Sequence, residues 1–313
     1  MVFDAGPISE TSGDIWLKFL NSPLGSKGIK QIMLTHTHPD HSGKAEWLQA
    51  LTGAELWMAE TELDALRRLW RGSYLNSDAL IKFFAQWGVP DEHFANIVSM
   101  FAGFHQDTTD LTHTPVKFIM TGQCFSWAGE EWQALFSYGH TPSNVCFYQA
   151  DQGVMVTGDQ VLPSTFPNIS VWWGSDENPL QLYLDSLVML RNYACSHLLP
   201  SHGLPFSTFE KRINTIVQFH RRRLTRLLRF LSDGPKTAYE AVAVILPKAE
   251  KGWAVSLVVG QVFALIRYLL GKGLLLQTGE QIWRFRAEAD AVEQLQHFPE
   301  LAQEPLIATI CSA

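Results

Sequence analysis

Thr35-His36-Thr37-His38-Pro39-Asp40-His41-Ser42-Gly43 sets three imidazoles and one carboxylate within six residues. The apolar run Ile32-Met33-Leu34 ahead of it reads as the end of a buried strand. Pro39 and Gly43 mark a turn, and Lys44-Ala45-Glu46-Trp47-Leu48 resumes as a helix. Neutral ring nitrogens and an anionic oxygen are the donors that zinc and similar ions take. An isolated histidine pair is more often structural, but four such groups on one loop would repel and desolvate one another in an empty core. In an extended segment residues two apart share a face, so His36 and His38 can grip one ion. Asp40 and His41 lie beyond the turn and can point to a second ion beside it. Four ligands do not complete two shells. Further ligands are therefore expected at the ends of other strands, where the support is rigid.

Three strand ends downstream offer them. Trp132-Gln133-Ala134-Leu135-Phe136-Ser137 runs into Tyr138-Gly139-His140-Thr141-Pro142. Val145–Tyr148 and Val154–Thr157 flank a hairpin signal at Asp151-Gln152-Gly153, and the second of them ends in Gly158-Asp159. After a helix opened by Asn178-Pro179, His197-Leu198-Leu199-Pro200 ends at Ser201-His202-Gly203. His140, Asp159 and His202 complete the donor set. Upstream, residues 1–6 read as a strand ending in Asp4-x-Gly6, followed by a helix through Asp14–Leu20, so strands and helices alternate in a layered α/β fold.

This constellation resembles the metallo-β-lactamase superfamily over nearly the whole chain. His36, His38, Asp40 and His41 match its first motif, His140 its second, Asp159 its third and His202 its fourth. The resemblance implies an αββα sandwich with the site along one edge of two packed sheets. It further implies one metal on His36, His38 and His140, another on Asp40, His41 and His202, and Asp159 bridging them. Asp4 and Gly6 match the short element that usually supports the metal loop from beneath. There are departures: only three residues precede Asp4, Thr141-Pro142-Ser143-Asn144 replaces a more usual Thr-Pro-Gly-His, and Ser201 stands where Gly often precedes the last His. None touches a ligand. They bear on the substrate mouth and on whether the native chain begins further upstream.

Residues 1–205 are expected to form the catalytic domain, with a helical insertion over 60–106 (Leu63, Leu66, then Leu80, Phe84, Trp87) near the site. Residues 206–290 read as helix–helix–helix–hairpin: about 209–231, from a Thr237-x-x-Glu240 capping box to before Pro247, about 253–270, then Leu274–Gln277 and Gln281–Phe285. That order resembles the winged-helix module of one superfamily branch, which includes hydrolases similar to glyoxalase II and some endoribonucleases. Residues 291–313 form a tail. Residues 207–286 hold 14 Lys and Arg against 5 Asp and Glu, in a chain whose net charge is −7. Docking on the acidic remainder, with the helix-one arginines paired there, is the expected use of that charge. Nucleic acid is not an expected partner, and a homodimer is the assembly considered.

The composition, 46% hydrophobic and 18% charged, suits a globular chain with a sizeable core. No apolar run reaches membrane-spanning length and no signal peptide is read, and Cys124, Cys146, Cys195 and Cys311 lack metal or disulfide spacing. A cytoplasmic enzyme without a membrane partner is expected. Two divalent ions, zinc first and iron or manganese as alternatives, would turn a bridging water into the nucleophile. The carboxylates Asp40 and Asp159 orient that nucleophile, and Asp4 and Thr35 are the expected acceptors for ligand ring N–H groups. Phe166, Trp172 and Trp173, in the long loop after Asp159, are candidate substrate contacts, with plain packing as their other reading. The expected reaction is hydrolysis of a small thioester, ester or lactone. A phosphodiesterase or ribonuclease, and oxygen chemistry at iron, are the alternatives.

Overall fold

The computed structural model describes residues 1–70, 77–247 and 254–302, and its period-two patterns resolve into two stacked sheets. The first is parallel and runs β1 (Val2–Phe3), β2 (Gln31–Met33), β3 (Glu55–Ala59) and β4 (Val116–Ile119). Parallel neighbours need a crossover. The helix α1 (Glu10–Leu20) supplies the first, and α2 (Pro39–Ser42) with α3 (Ala45–Thr52) the second. The third is the helical insertion: α4 (Glu60–Ala65), a π turn at Leu66–Trp70, α5 (Ser77–Gln86) and α6 (Phe94–Asp107). The second sheet runs β5 (Cys124–Trp127), β6 (Glu130–Ser137), β7 (Asn144–Gln149), β8 (Val154–Gly158) and β9 (His197–Pro200). It is antiparallel until β9, which lies parallel to β8 because α7 (Pro179–Leu190) crosses between them.

Alternation along each strand assigns the layers. Ile32, Leu34, Leu56 and Met58 face Trp16, Phe19 and Leu48 of the outer helices, while Met33 and Ala59 face the other way. There they meet Ala134, Val145, Phe147 and Val156 of the second sheet. The opposite face of that sheet (Leu135, Cys146, Tyr148, Met155, Leu198) packs against α7 and the carboxy-terminal helices. The result is the helix–sheet–sheet–helix order of the αββα sandwich.

The carboxy-terminal elements are α8 (Phe209–Ser232), α9 (Val242–Ile245), α10 (Ala254–Gly271), the antiparallel pair β10 (Leu275–Thr278) and β11 (Arg284–Ala287), and α11 (Ala291–Gln294). The second helix is much shorter than expected. The Thr237–Glu240 capping box does form, with Thr237 N–H donating to Glu240 Oε2 at 2.7 Å and Glu240 N–H to Thr237 Oγ1 at 3.2 Å. Tyr239 is nevertheless drawn away, its amide to the Trp87 carbonyl and its hydroxyl to His93, so only one turn follows. Trp253, Cys311 and residues 303–313 of the expected tail lie outside the described residues. Leu295 and Leu301 are buried with the helices, so residues 291–302 pack rather than trail.

The expected arginine pairing did not materialise. Arg212 and Arg223 of α8 are buried and donate to the Leu162 and Thr165 carbonyls and to Gln261 Oε1. Arg221, Arg222, Arg226 and Arg229 have no carboxylate partner among the described residues. The ion pair joining α8 to the sandwich puts the arginine on the sandwich side, Arg191 to Glu210. Apolar contact dominates instead: Ile213, Val217, Leu224, Val259, Val262 and Phe263 share one core with Met155, Leu184, Leu187 and Leu198. Among the described residues no helix is long and apolar enough to cross a membrane.

Candidate metal centre

Every ligand position predicted from sequence falls at one edge of the sandwich, where β2, β6, β8 and β9 end. Beneath it sits Asp4, whose backbone holds the left-handed φ of +55° that non-glycine residues avoid. Its carboxylate keeps it there: Oδ1 accepts the Thr35 N–H at 2.8 Å, and Oδ2 accepts the Thr35 hydroxyl at 2.9 Å and lies 2.8 Å from His41 Nδ1. Thr35 Oγ1 in turn lies 3.0 Å from His36 Nδ1. Both orienting residues named from the sequence are therefore in place, and they turn Nε2 of His36 and His41 towards the edge.

Two further orienters escaped sequence reading. His140 Nδ1 lies 3.0 Å from the Asn168 carbonyl, a backbone contact that no residue type announces. Glu62, at the start of α4, is fully buried and accepts backbone N–H groups from both ligand loops, Thr37 at 2.8 Å and Ser143 at 2.6 Å. The sequence departures also carry bonds. Ser201 donates its hydroxyl to Asp4 Oδ2, and Asn144 Oδ1 accepts the Asp159 N–H. Gly158 is required where it stands: at φ +53° an added Cβ would lie 2.4 Å from Asn144 Oδ1 and 2.9 Å from Thr35 Cβ.

The free donor atoms converge. His36 Nε2 and His38 Nδ1 are 3.0 Å apart. His202 Nε2 is 3.2 Å and His41 Nε2 3.5 Å from Asp40 Oδ2. Asp159 Oδ1 is 3.6 Å from both His41 and His202 Nε2, and its Oδ2 is 3.7 Å from His140 Nε2. Ligands about 2.05 Å from a tetrahedral ion stand roughly 3.3 Å apart, so these edges are of the right length. Three compact donor groups result: His36/His38/His140, His36/His41/Asp159 and Asp40/His41/His202. His41 Nε2, His140 Nε2 and Asp159 Oδ1 are buried without a hydrogen-bond partner, which a bound cation would satisfy. The residues present fit a pair of metal ions.

Electrostatics divides the donors. Burial, then the neighbouring imidazoles, hold His36 and His38 well below the ordinary histidine value, and burial lowers His140 too, so these three present lone pairs rather than protons. Burial would also lower His41, but Asp4, Asp40 and Asp159 outweigh it and raise the ring to about 10. Burial opposes ionisation of Asp40, yet His41 more than compensates and keeps it an anion. Exposure divides them again: side chains of His41 and His140 are 2% and 4% exposed, those of Asp40 and His202 50% and 48%.

Phe166, Trp172 and Trp173 do not join this edge through any described bond. Phe166 stacks on Phe219 of α8 at 3.8 Å beneath the Arg212 guanidinium, and Trp172 meets Phe101 edge-on at 5.7 Å. Trp173 is half-buried and packs against the same core.

The profile of the metallo-beta-lactamase superfamily matches residues 1–202. The chain belongs to that superfamily. It is 24% identical over 265 residues to the probable metallo-hydrolase YqjP of Bacillus subtilis, covering 79% of this chain and 77% of that protein. It is 23% identical over 240 residues to an atrochrysone carboxyl ACP thioesterase of Aspergillus novofumigatus, covering 73% of this chain and 63% of the relative. Among solved structures, a beta-lactamase domain protein from Burkholderia ambifaria superposes with a TM-score of 0.76 and 26% identity, covering 91% of this chain and 83% of its own. A metallo-beta-lactamase family protein from Thermus thermophilus gives 0.76 and 25%, with 91% and 89% covered. Both matches run well past residue 202, so much of the carboxy-terminal layer is shared with these two proteins. Membership of the superfamily together with the donor clusters makes the protein a metal-dependent hydrolase with places for two ions.

Proposed function

We propose that the protein hydrolyses a small thioester, ester or lactone with two divalent ions, zinc first among them. His36, His38 and His140 would hold one ion, Asp40, His41 and His202 the other, and Asp159 would serve both. The observation that carries this is Asp159, whose two carboxylate oxygens face different clusters. Bound there, the ions would supply a Lewis acid for the substrate oxygen and a water whose pKa is lowered towards about 7. The chain's own part is to hold the donors. Asp4 and Asn168 fix the ring orientations of His41 and His140, and burial keeps His36, His38 and His140 unprotonated. Asp40 and Asp159 carry the negative charge that orients a water and limits the charge of the pair. His202 and Asp40 are the exposed members, so substrate is proposed to approach on their side.

A carboxyl derivative is favoured over a phosphodiester by the cavity of about 430 Å³ beside Asp40, His41 and His202. Ile15, Trp16 and Leu199 line it beside the donors, an apolar wall that suits an acyl group. The thioesterase named among the relatives points the same way. We place residues 206–290 as a winged-helix-like module on a glyoxalase II-like branch. Its α10 is buried against the sandwich, which supports a packing role over nucleic-acid binding. The test is a panel of thioesters, lactones and phosphodiesters on zinc-loaded protein. Turnover confined to phosphodiesters would overturn the substrate class. Iron near two per chain in protein made without added metal would overturn zinc.

A further inference from the structure

Glu62 has both carboxylate oxygens turned inward, fully buried and facing no cationic partner among the described residues. Such a group is costly to keep: burial first, and then the Asp176 charge, push its carboxyl up to about 7 against the pull of the Ser143 and Thr37 amides and the Thr141 side chain. The bonds it makes account for its retention. Oε2 accepts the N–H of Thr37, the residue between His36 and His38, and Oε1 accepts the N–H of Ser143, three residues beyond His140. One side chain thus spans the two loops that carry all three donors of the buried cluster. The open cluster is braced elsewhere: Asp4 holds His41 and also Ser201, the neighbour of His202.

We propose that Glu62 is a positioning residue for the His36/His38/His140 metal, fixing the backbone of both loops before the ion arrives so that this cluster takes up metal more tightly than Asp40/His41/His202. The inference rests on the two-metal reading above. Glu62 touches no donor atom and acts through Thr37 and Ser143. Its amide bonds are made to backbone that is present with or without an ion, so the bracing is a property of the empty site.

The experiment is a Co²⁺ titration of the metal-free protein against a chelating indicator, giving two dissociation constants, with His140→Ala and His202→Ala marking which belongs to which cluster. Glu62→Gln keeps the volume but turns an amide NH2 towards one of the two N–H donors. The tighter constant, the one lost in His140→Ala, should weaken by about 10–100-fold in Glu62→Gln, the range seen when an outer partner of a metal site is removed. The other constant should stay within about threefold. Equal weakening of both constants, or of neither, overturns the proposal. Hydrogen exchange on the wild-type metal-free protein tests it without a variant: the Thr37 and Ser143 amides should remain protected after chelation, and free exchange at both overturns it. If the wild type takes up fewer than two ions, the two-metal reading itself fails and Glu62's role falls with it.

Discussion

Two regions of this molecule bury polar atoms that find no hydrogen-bond partner, and they differ in one respect. At the sandwich edge the orphans include His41 Nε2, His140 Nε2 and Asp159 Oδ1; along α8 they include both ring nitrogens of His220 and Arg223 Nε. Those three at the edge each belong to a triad of nitrogen and carboxylate donors whose atoms lie within 4.8 Å of one another. His220 stands between the Tyr183 and Phe219 rings, and belongs to no such group among the described residues. Burial and an unmet bond are therefore common to a metal centre and to a piece of packing. Convergence of acceptors separates them. A lone buried histidine is held in place by the apolar side chains around it and contributes nothing to binding.

Removing one region altogether should have the largest effect. A chain ending at Gly203 loses α8 and α10 and bares Met155, Leu184, Leu187 and Leu198, each of which stabilises by about 1.5–3 kcal/mol when covered. It also loses Arg212, which grips the Leu162 and Thr165 carbonyls, and Gly260, whose carbonyl accepts the Val171 N–H. The loop between them carries the Asn168 carbonyl that meets His140. The shortened chain should aggregate and take up less than two equivalents of metal, read by size-exclusion chromatography and metal analysis. A monomeric, fully loaded and active product would show that the helical layer is separable from the site and would revive a role in nucleic-acid binding.

Within the edge, Asp159→Ala should be the most damaging single change, because the side chain faces both clusters. Metal content should fall for both ions and turnover by more than about 100-fold, the upper range for a merely outer partner. Full two-metal occupancy in Asp159→Ala would show that the bridge is misassigned.

The same contrast explains how much the sequence disclosed. Metal donors are few in type and sit at strand ends, so His36, His38, Asp40, His41, His140, Asp159 and His202 could be named from spacing and resemblance, and the structure brings them together. Thr35 was reachable because it immediately precedes the motif, and Asp4 because Asp4-x-Gly6 matches the element that supports such a loop in the family. Asn168 was not, since it acts through its carbonyl, and Glu62 was not, since a Glu opening a helix usually faces water. The period-two strands gave the layers correctly. The second carboxy-terminal helix was overestimated because its cap formed while Tyr239 was drawn into tertiary bonds. The arginines of α8 were misread for a related reason: charge counts along a chain carry no geometry, and these side chains meet carbonyls, rings or solvent rather than carboxylates.

The smallest effect expected tests whether His220 is packing and nothing else. Burial, and then the Arg223 charge, lower its ring to about 3 from an ordinary value of about 6.5. Between those values the unfolded chain binds a proton that the folded chain refuses. Stability is thus fully present above about pH 6.5 and is lost as pH falls, at up to about 1.4 kcal/mol per unit, or about 2 kcal/mol by pH 5. His220→Leu removes the titrating group and fills a similar volume among Tyr183 and Phe219. Urea unfolding of the two metal-free proteins should give closely similar stabilities at pH 7.5, and at pH 5 the variant should be the more stable by about 2 kcal/mol. The edge histidines titrate alike in both proteins, so they cancel in the difference. Identical pH dependence in variant and wild type would mean that the ring accepts a proton in the folded state, and that a partner for it exists where the packing shows only rings and a guanidinium.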